Sequence, residues 1–233
     1  MWQDTSKLAG EASPAGGALW GSESERQAFG QIWPLWYGDH GVRDHAAAVT
    51  RLKQLADQGY APAQFVLGLA HYDGDGVRRD YAKSFDYFSA AAAQGYPGAE
   101  GMVGNFYITA KPAHSACAYD PAEAARWHRL AAEHGNAGAQ YNLAFSYWTG
   151  RGVDQDPLEA FVWASLSAHC SAIRNRMAEV QRDQASAALD PEQRAEADRR
   201  IEELKSTLPF PWSEPLTYWK SLAQRAGVLE ADA

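Results

Sequence analysis

Ala61-Pro-Ala-Gln-Phe-Val-Leu-Gly68 returns in altered form as Gly98-Ala-Glu-Gly-Met-Val-Gly104, and again as Asn136-Ala-Gly-Ala-Gln-Tyr-Asn-Leu-Ala144. Each copy follows a helical run that ends in glycine, at Gly59, Gly95 and Gly135. The copies are therefore spaced 95 − 59 = 36 and 135 − 95 = 40 residues apart. A period in this range is the mark of helix pairs stacked side by side.

The agreement extends beyond the glycines. Gly74-Asp-Gly-Val77 returns as Gly150-Arg-Gly-Val153, each followed three residues later by an aspartate, Asp80 and Asp156, while Asp120 holds that place in the middle copy. The runs that follow carry small or apolar residues at helical spacing: Ala82, Phe85, Phe88 and Ala91, then Ala122, Ala125 and Ala131, then Leu158, Phe161 and Ala168. Such a stripe is the buried side of an amphipathic helix. Aspartate just before a helix accepts hydrogen bonds from its first backbone N–H groups, and Pro121 and Pro157 suit the first turn. Alanine at Ala63, Ala99 and Ala139 lets helix axes approach closely. Each unit is thus a helical hairpin that buries its apolar face by stacking on its neighbours.

The combination Ala-x-x-x-Leu-Gly, aromatic, Gly-x-Gly-Val, Asp, Trp, Ala-Ala, Gly over about residues 42 to 170 resembles the Sel-like repeat (SLR) family, relatives of tetratricopeptide repeats. The resemblance implies an all-α, right-handed α/α solenoid. The sequence departs from the pattern in two places. His71 stands where Tyr107 and Tyr147 stand, and the middle copy replaces Gly-x-Gly-Val with the longer connection from Thr109 to Tyr119.

The repeats divide as 61–96, 97–136 and 137–170. A degenerate first repeat spans 22–60, with Trp33 to Asp44 aligned to His71 to Asp80 and Pro34 disturbing its first helix. That gives about four hairpins. Beyond Cys170 two charged helical runs separated by Asp190-Pro191 read as a terminal helical cap within 171–233, ending in a tail with a final helical run from Leu216 to Ala226. Residues 1–21, rich in Gly, Ala and Ser, read as a flexible lead without the regions of a signal peptide. SLR proteins are often exported, so the compartment stays open between an exported protein whose leader has been removed and a cytoplasmic one. Cys117 and Cys170 do not decide it, since the paired cysteines of disulfide-rich relatives are missing.

With 21 Lys and Arg against 29 Asp and Glu, the net charge is −8. No basic stripe marks a nucleic-acid surface, and no segment approaches the roughly 18 to 20 apolar residues of a membrane helix. There is no phosphate loop, nucleophile elbow or His-Glu-x-x-His motif, and no pattern requires a cofactor. His114-x-x-Cys117, with His128 and His134, is the nearest approach to a metal cluster; a plain loop is the competing reading.

In tetratricopeptide-like arrays the first helix of every hairpin lines the concave side, and the resemblance implies the same here. Counting from Leu67, Val103 and Leu143, the groove-facing offsets select Phe65, Leu69 and Tyr72; Asn105 and Ile108; and Tyr141, Phe145 and Trp148. Tyr107, Tyr147, Trp127 and Trp163 are assigned to packing, and His71 to a packed histidine bonded to a neighbouring helix. The leading expectation is a non-catalytic interaction module that binds a protein or peptide through this aromatic groove, with rim acids favouring a basic partner. The resemblance leaves room for a toxin-neutralising immunity protein or an assembly scaffold on the same framework. Two other classes remain: a small-molecule or β-lactam-binding weak hydrolase using His71, Tyr72 or Cys117, and a structural spacer or homo-oligomer. The residues do not identify the oligomeric state.

Overall fold

The computed structural model describes residues 22–32, 34–38, 44–109, 117–170 and 176–208. The lead, residues 110–116 of the insertion, His114 with them, and the tail from Pro209 fall outside the described residues.

The described chain is helical throughout. After α1 (Glu23–Gly30) and a π-helical turn at Pro34–Gly38 come α2 (His45–Asp57), α3 (Ala61–Asp73), α4 (Tyr81–Ala92), α5 (Pro97–Ile108) and α6 (Pro121–Glu133). They are followed by α7 (Ala137–Thr149), α8 (Pro157–Cys170), α9 (Arg176–Ala187) and α10 (Pro191–Thr207). Each helix from α2 to α8 packs on the next, so α3 with α4, α5 with α6, and α7 with α8 are hairpins in an α/α solenoid, and α10 lies against α8.

Second helices begin at aspartates, as their position suggests. Asp44, Asp80, Asp120, Asp156 and Asp190 accept backbone N–H bonds from the first turns of α2, α4, α6, α8 and α10, for example from Lys83 at 3.1 Å and Gln193 at 2.8 Å. The same aspartates close the hairpins through their own amides. Asp80 N donates to His71 O at 2.9 Å, Asp120 N to Tyr107 O at 2.9 Å and Asp156 N to Tyr147 O at 2.9 Å. The middle loop spans 120 − 107 = 13 positions where the others span 80 − 71 = 9 and 156 − 147 = 9, so its four extra residues leave the closing bond intact. Ahead of α2 the same closure recurs, Asp44 N donating to Leu35 O at 2.8 Å.

Glycine at the hairpin turn serves the stacking as well as the bend. Gly152 has φ +80°, and a Cβ there would lie 2.0 Å from the Pro121 carbonyl oxygen, so the turn of one hairpin rests directly on the start of the preceding second helix. Within hairpins, small residues face large ones. A Cβ on Gly68 would lie 2.5 Å from the Phe88 ring, and one on Gly104 2.5 Å from the His128 ring. In the third hairpin the corresponding positions are Ala144 and Ala164, both buried.

Two apolar clusters result. One gathers Phe29, Leu52, Leu67, Phe88, Tyr96 and Phe106, with Trp127 packed against it; the other gathers Ala131, Leu143, Phe161, Leu166 and Ile201. Tyr147 and Trp163 are core residues, as expected, and Tyr107 and Trp127 are partly buried against the first cluster.

Candidate partner-binding surface

The first helices α3, α5 and α7 form one layer, joined by direct contacts. Phe65 packs on Tyr96 with ring centroids 5.1 Å apart, Tyr72 meets Phe106 edge-on at 5.9 Å, and Asn142 Nδ2 donates to Asn105 Oδ1 at 3.0 Å. This layer carries the residues that helical counting selected, in very different settings.

Phe65 corrects the expectation of groove exposure: it is only 5% exposed. Its ring slips between layers because Gly98 offers no side chain, a Cβ there meeting Phe65 Cζ at 3.1 Å, and it packs on Phe88 as well as Tyr96. Leu69, Tyr72, Ile108, Tyr141 and Trp148 are half-buried. Tyr72 also meets Tyr81 edge-on, and burial raises its hydroxyl pKa above the ordinary value. Trp148 packs against the second apolar cluster. Phe145 is 42% exposed, a large apolar ring facing solvent in the middle of this set.

Asn105 stands in a polar cluster rather than alone. Its Oδ1 receives Asn142 Nδ2 and lies 3.1 Å from His128 Nε2. His128 itself comes from α6 and is 1% exposed; burial lowers its pKa to about 4, so the ring is neutral. Counting from the repeat centres missed both Asn142 and His128. Each nonetheless left a signal, since Asn142 stands where Val66 and Met102 stand, and His128 where Phe88 stands. A polar residue at an otherwise apolar repeat position requires a partner.

A second polar link lies at the start of the same layer. Gln64 donates to Ala56 O at 3.3 Å and accepts from Gln94 at 2.8 Å, and Gln140 donates to Ala132 O at 3.2 Å. The middle repeat has Glu100 at this place, 2% exposed, with Oε2 2.8 Å from His134 Nδ1. That hydrogen bond to the carboxylate raises the His134 pKa above 6.5 against the opposing effect of burial.

The residues considered for chemistry sit apart from one another in character. His71 is buried, stacked on Tyr87 at 5.7 Å, and burial lowers its pKa. The half-buried Cys117 thiol is pushed up by burial, away from the thiolate form. Among the described residues no group of three or more His, Cys, Asp or Glu could hold a metal ion, and no helix is long and apolar enough to cross a membrane.

Comparison with known proteins agrees with this architecture. The Sel1 repeat model matches residues 61–96, 115–136 and 137–171. A curated relative, "Chitin synthase regulatory factor 3" of Schizosaccharomyces pombe, is 35% identical over 112 residues, which is 48% of this chain and 12% of that protein. Among solved structures, a protective antigen present in uropathogenic Escherichia coli strains, displaying an SLR fold, superposes with a TM-score of 0.67 at 26% identity over 90% of this chain and 42% of the other. A Sel1 repeat protein from Oxalobacter formigenes superposes with a TM-score of 0.57 at 28% identity, over 69% of this chain and 47% of the other. The chain thus spans about an eighth of the curated relative and less than half of each solved structure. Hairpins of matching period, capped by aspartate and stacked in sequence, are thus Sel-like repeats over residues 61–96, 115–136 and 137–171, in a fold shared with solved SLR structures.

Proposed function

We propose that the chain is a non-catalytic interaction module that receives a protein or peptide on the layer formed by α3, α5 and α7. The observation that carries this reading is the exposed Phe145 ring, flanked on the same helix by half-buried Tyr141 and Trp148; that helix also carries Asn142, whose amide bonds to Asn105. Large rigid rings lose little entropy on contact and commonly anchor interfaces, each worth roughly 2 kcal/mol or more. The amides supply hydrogen bonds to a partner backbone, and the net charge of −8 favours a basic partner through steering. The regulatory role in the name of the yeast relative fits action through another protein.

The test compares partner capture from the native host, read by mass spectrometry, for the wild-type chain and for Phe145→Ala combined with Tyr141→Ala. Trp148 is left intact because its ring also packs on the second cluster, so its loss would weaken the fold. The expected result is at least about tenfold weaker capture of a specific partner with little change in Tm, corresponding to roughly 1.4 kcal/mol. Unchanged capture, or capture lost only in proportion to Tm, removes the reading.

A further inference from the structure

His128 belongs to α6, a second helix, yet its ring reaches the layer of first helices. Gly104 makes this possible: any Cβ there would collide with the ring at 2.5 Å from Cδ2. The preceding repeat uses the same gap for a benzene ring, Phe88 over Gly68. The two pairs correspond by position, 104 − 68 = 36 and 128 − 88 = 40. An imidazole has thus replaced a phenyl ring of similar shape, with polar atoms that now need partners.

The neighbouring amides bear on its tautomer. Nδ1 is buried with no hydrogen-bond partner, while Nε2 lies 3.1 Å from Asn105 Oδ1. A carbonyl oxygen only accepts, so a proton on Nε2 satisfies this shorter contact and leaves Nδ1 as a bare acceptor rather than as a buried, unpaired N–H; Asn142 Nδ2 also lies 3.4 Å from Nε2, a longer approach that only the opposite tautomer would accept. Asn105 Oδ1 therefore accepts twice, from His128 Nε2–H and from Asn142 Nδ2–H. In this arrangement Asn105 turns its Oδ1, and Asn142 its Nδ2, toward the cluster. Among the described residues Asn105 Nδ2 meets Met102 Sδ at 3.8 Å, a weak contact, and Asn142 Oδ1 receives no donor. Both residues are half-buried and so within reach of solvent.

We propose that His128 is a positioning residue of the interaction surface, holding the Asn105 carbonyl so that an N–H donor on Asn105 and a carbonyl acceptor on Asn142 are offered side by side to a peptide unit. This rests on the partner-binding reading above and deepens it: the ligand group is a neutral amide with one acceptor and one donor. The cluster has no formal charge, because burial keeps His128 neutral. With a phenyl ring in its place, Asn105 loses its second donor and its amide is free to turn over, which replaces the offered donor with an acceptor.

The experiment uses the full chain labelled with 15N. Long-range proton–nitrogen correlation on wild-type protein reads the His128 tautomer; the Nε2–H form is expected, and an Nδ1–H form overturns the proposal. N-acetyl-pentaglycine amide, a backbone without side chains, is then titrated into wild type and His128→Phe, following the side-chain amide signals of Asn105 and Asn142. In wild type both signals shift. In the variant the response is at least about fivefold weaker, as expected for one net hydrogen bond, while the far-UV spectrum is unchanged, since Phe88 shows that a phenyl ring fits over glycine. Acetate and guanidinium leave the wild-type signals unmoved. No shift in wild type, or an equal shift in the variant, overturns the positioning role; loss of partner capture in the Phe145 and Tyr141 variant is unaffected by that outcome, so the two readings fail separately. Should His128→Phe not fold, the tautomer and the wild-type titration decide alone.

Discussion

Glu100 is the residue on which the pH behaviour of the stack turns. Where its counterparts Gln64 and Gln140 bond to neighbouring carbonyls, Glu100 is buried against His134. A histidine whose pKa is raised by folding contributes stability that is complete below its unfolded value of about 6.5 and fades as pH climbs through the folded value. His128 works in the opposite sense: with its folded pKa lowered to about 4, its contribution is complete above about 6.5 and declines as pH falls toward 4. Wild-type pH profiles mix the two, so the informative quantity is a difference. The Tm of wild type minus that of Glu100→Gln is expected to be larger at about pH 6 than at about pH 8.5, by roughly a few degrees for a chain of this size. A difference that stays flat across that window removes the ion pair as the cause. Converting His128 to Phe is expected to lessen the loss of Tm between about pH 6.5 and pH 4.5.

Among the elements, the hairpins are held in shape by small residues set against large or rigid ones. Gly59 and Gly152 both have positive φ, +89° and +80°, but a Cβ at Gly59 meets open space while one at Gly152 meets the Pro121 carbonyl. Gly59→Ala is expected to cost about 1 kcal/mol from the backbone alone. Gly152→Ala is expected to cost about 3 kcal/mol or more, because neither the turn nor the start of α6 has a flexible side chain that could yield. Urea unfolding measures both, and equal costs count against the close approach. Gly68 gives a different test. Alanine there collides with Phe88, so Gly68→Ala is costly alone, yet in the background of Phe88→Ala the vacated space accepts the methyl group. The double variant is expected to be no less stable than Phe88→Ala, a coupling on the order of 1–3 kcal/mol. Additive costs rule it out.

On the scale of the whole molecule, the apolar core is divided. The first cluster ends at Phe106 with Trp127 against it, and the second begins at Ala131, so α6 carries the division along its length. Polar contacts cross there: Asn105 with Asn142, His128 with Asn105, Glu100 with His134, and Asn136 Nδ2 to Pro97 O at 3.4 Å. In a stack whose stability is a sum of units and interfaces, a break between two apolar clusters is a place where the halves can open separately. Native-state hydrogen exchange is therefore expected to separate the amides of α2 to α5 from those of α7 and α8, with two distinct opening free energies and α6 between them. One common opening free energy for all would show the division to be without effect. The surface proposed for a partner spans this same seam, so a bound chain would bridge both halves.

The repeat was legible because its signals are local. Glycine spacing, aspartates before helices and small residues at fixed offsets each act within one turn or one hairpin, and together they specify stacked helix pairs without knowledge of any distant contact. The closing bond from Asp120 N to Tyr107 O shows how firmly that local scheme holds, since it survives a loop four residues longer. The surface was legible only in part. Helical counting gives the side of the helix on which Phe65 and Phe145 lie but not what stands opposite, and the missing side chain of Gly98 draws one ring inside while the other stays in solvent. Likewise His128, Asn105 and Asn142 lie 23 and 37 positions apart in the chain, and only the docking of α5, α6 and α7 brings them within hydrogen-bond distance. Local geometry is written in neighbouring residues, whereas burial and polar pairing depend on surfaces from different helices, which exist only once the stack has formed.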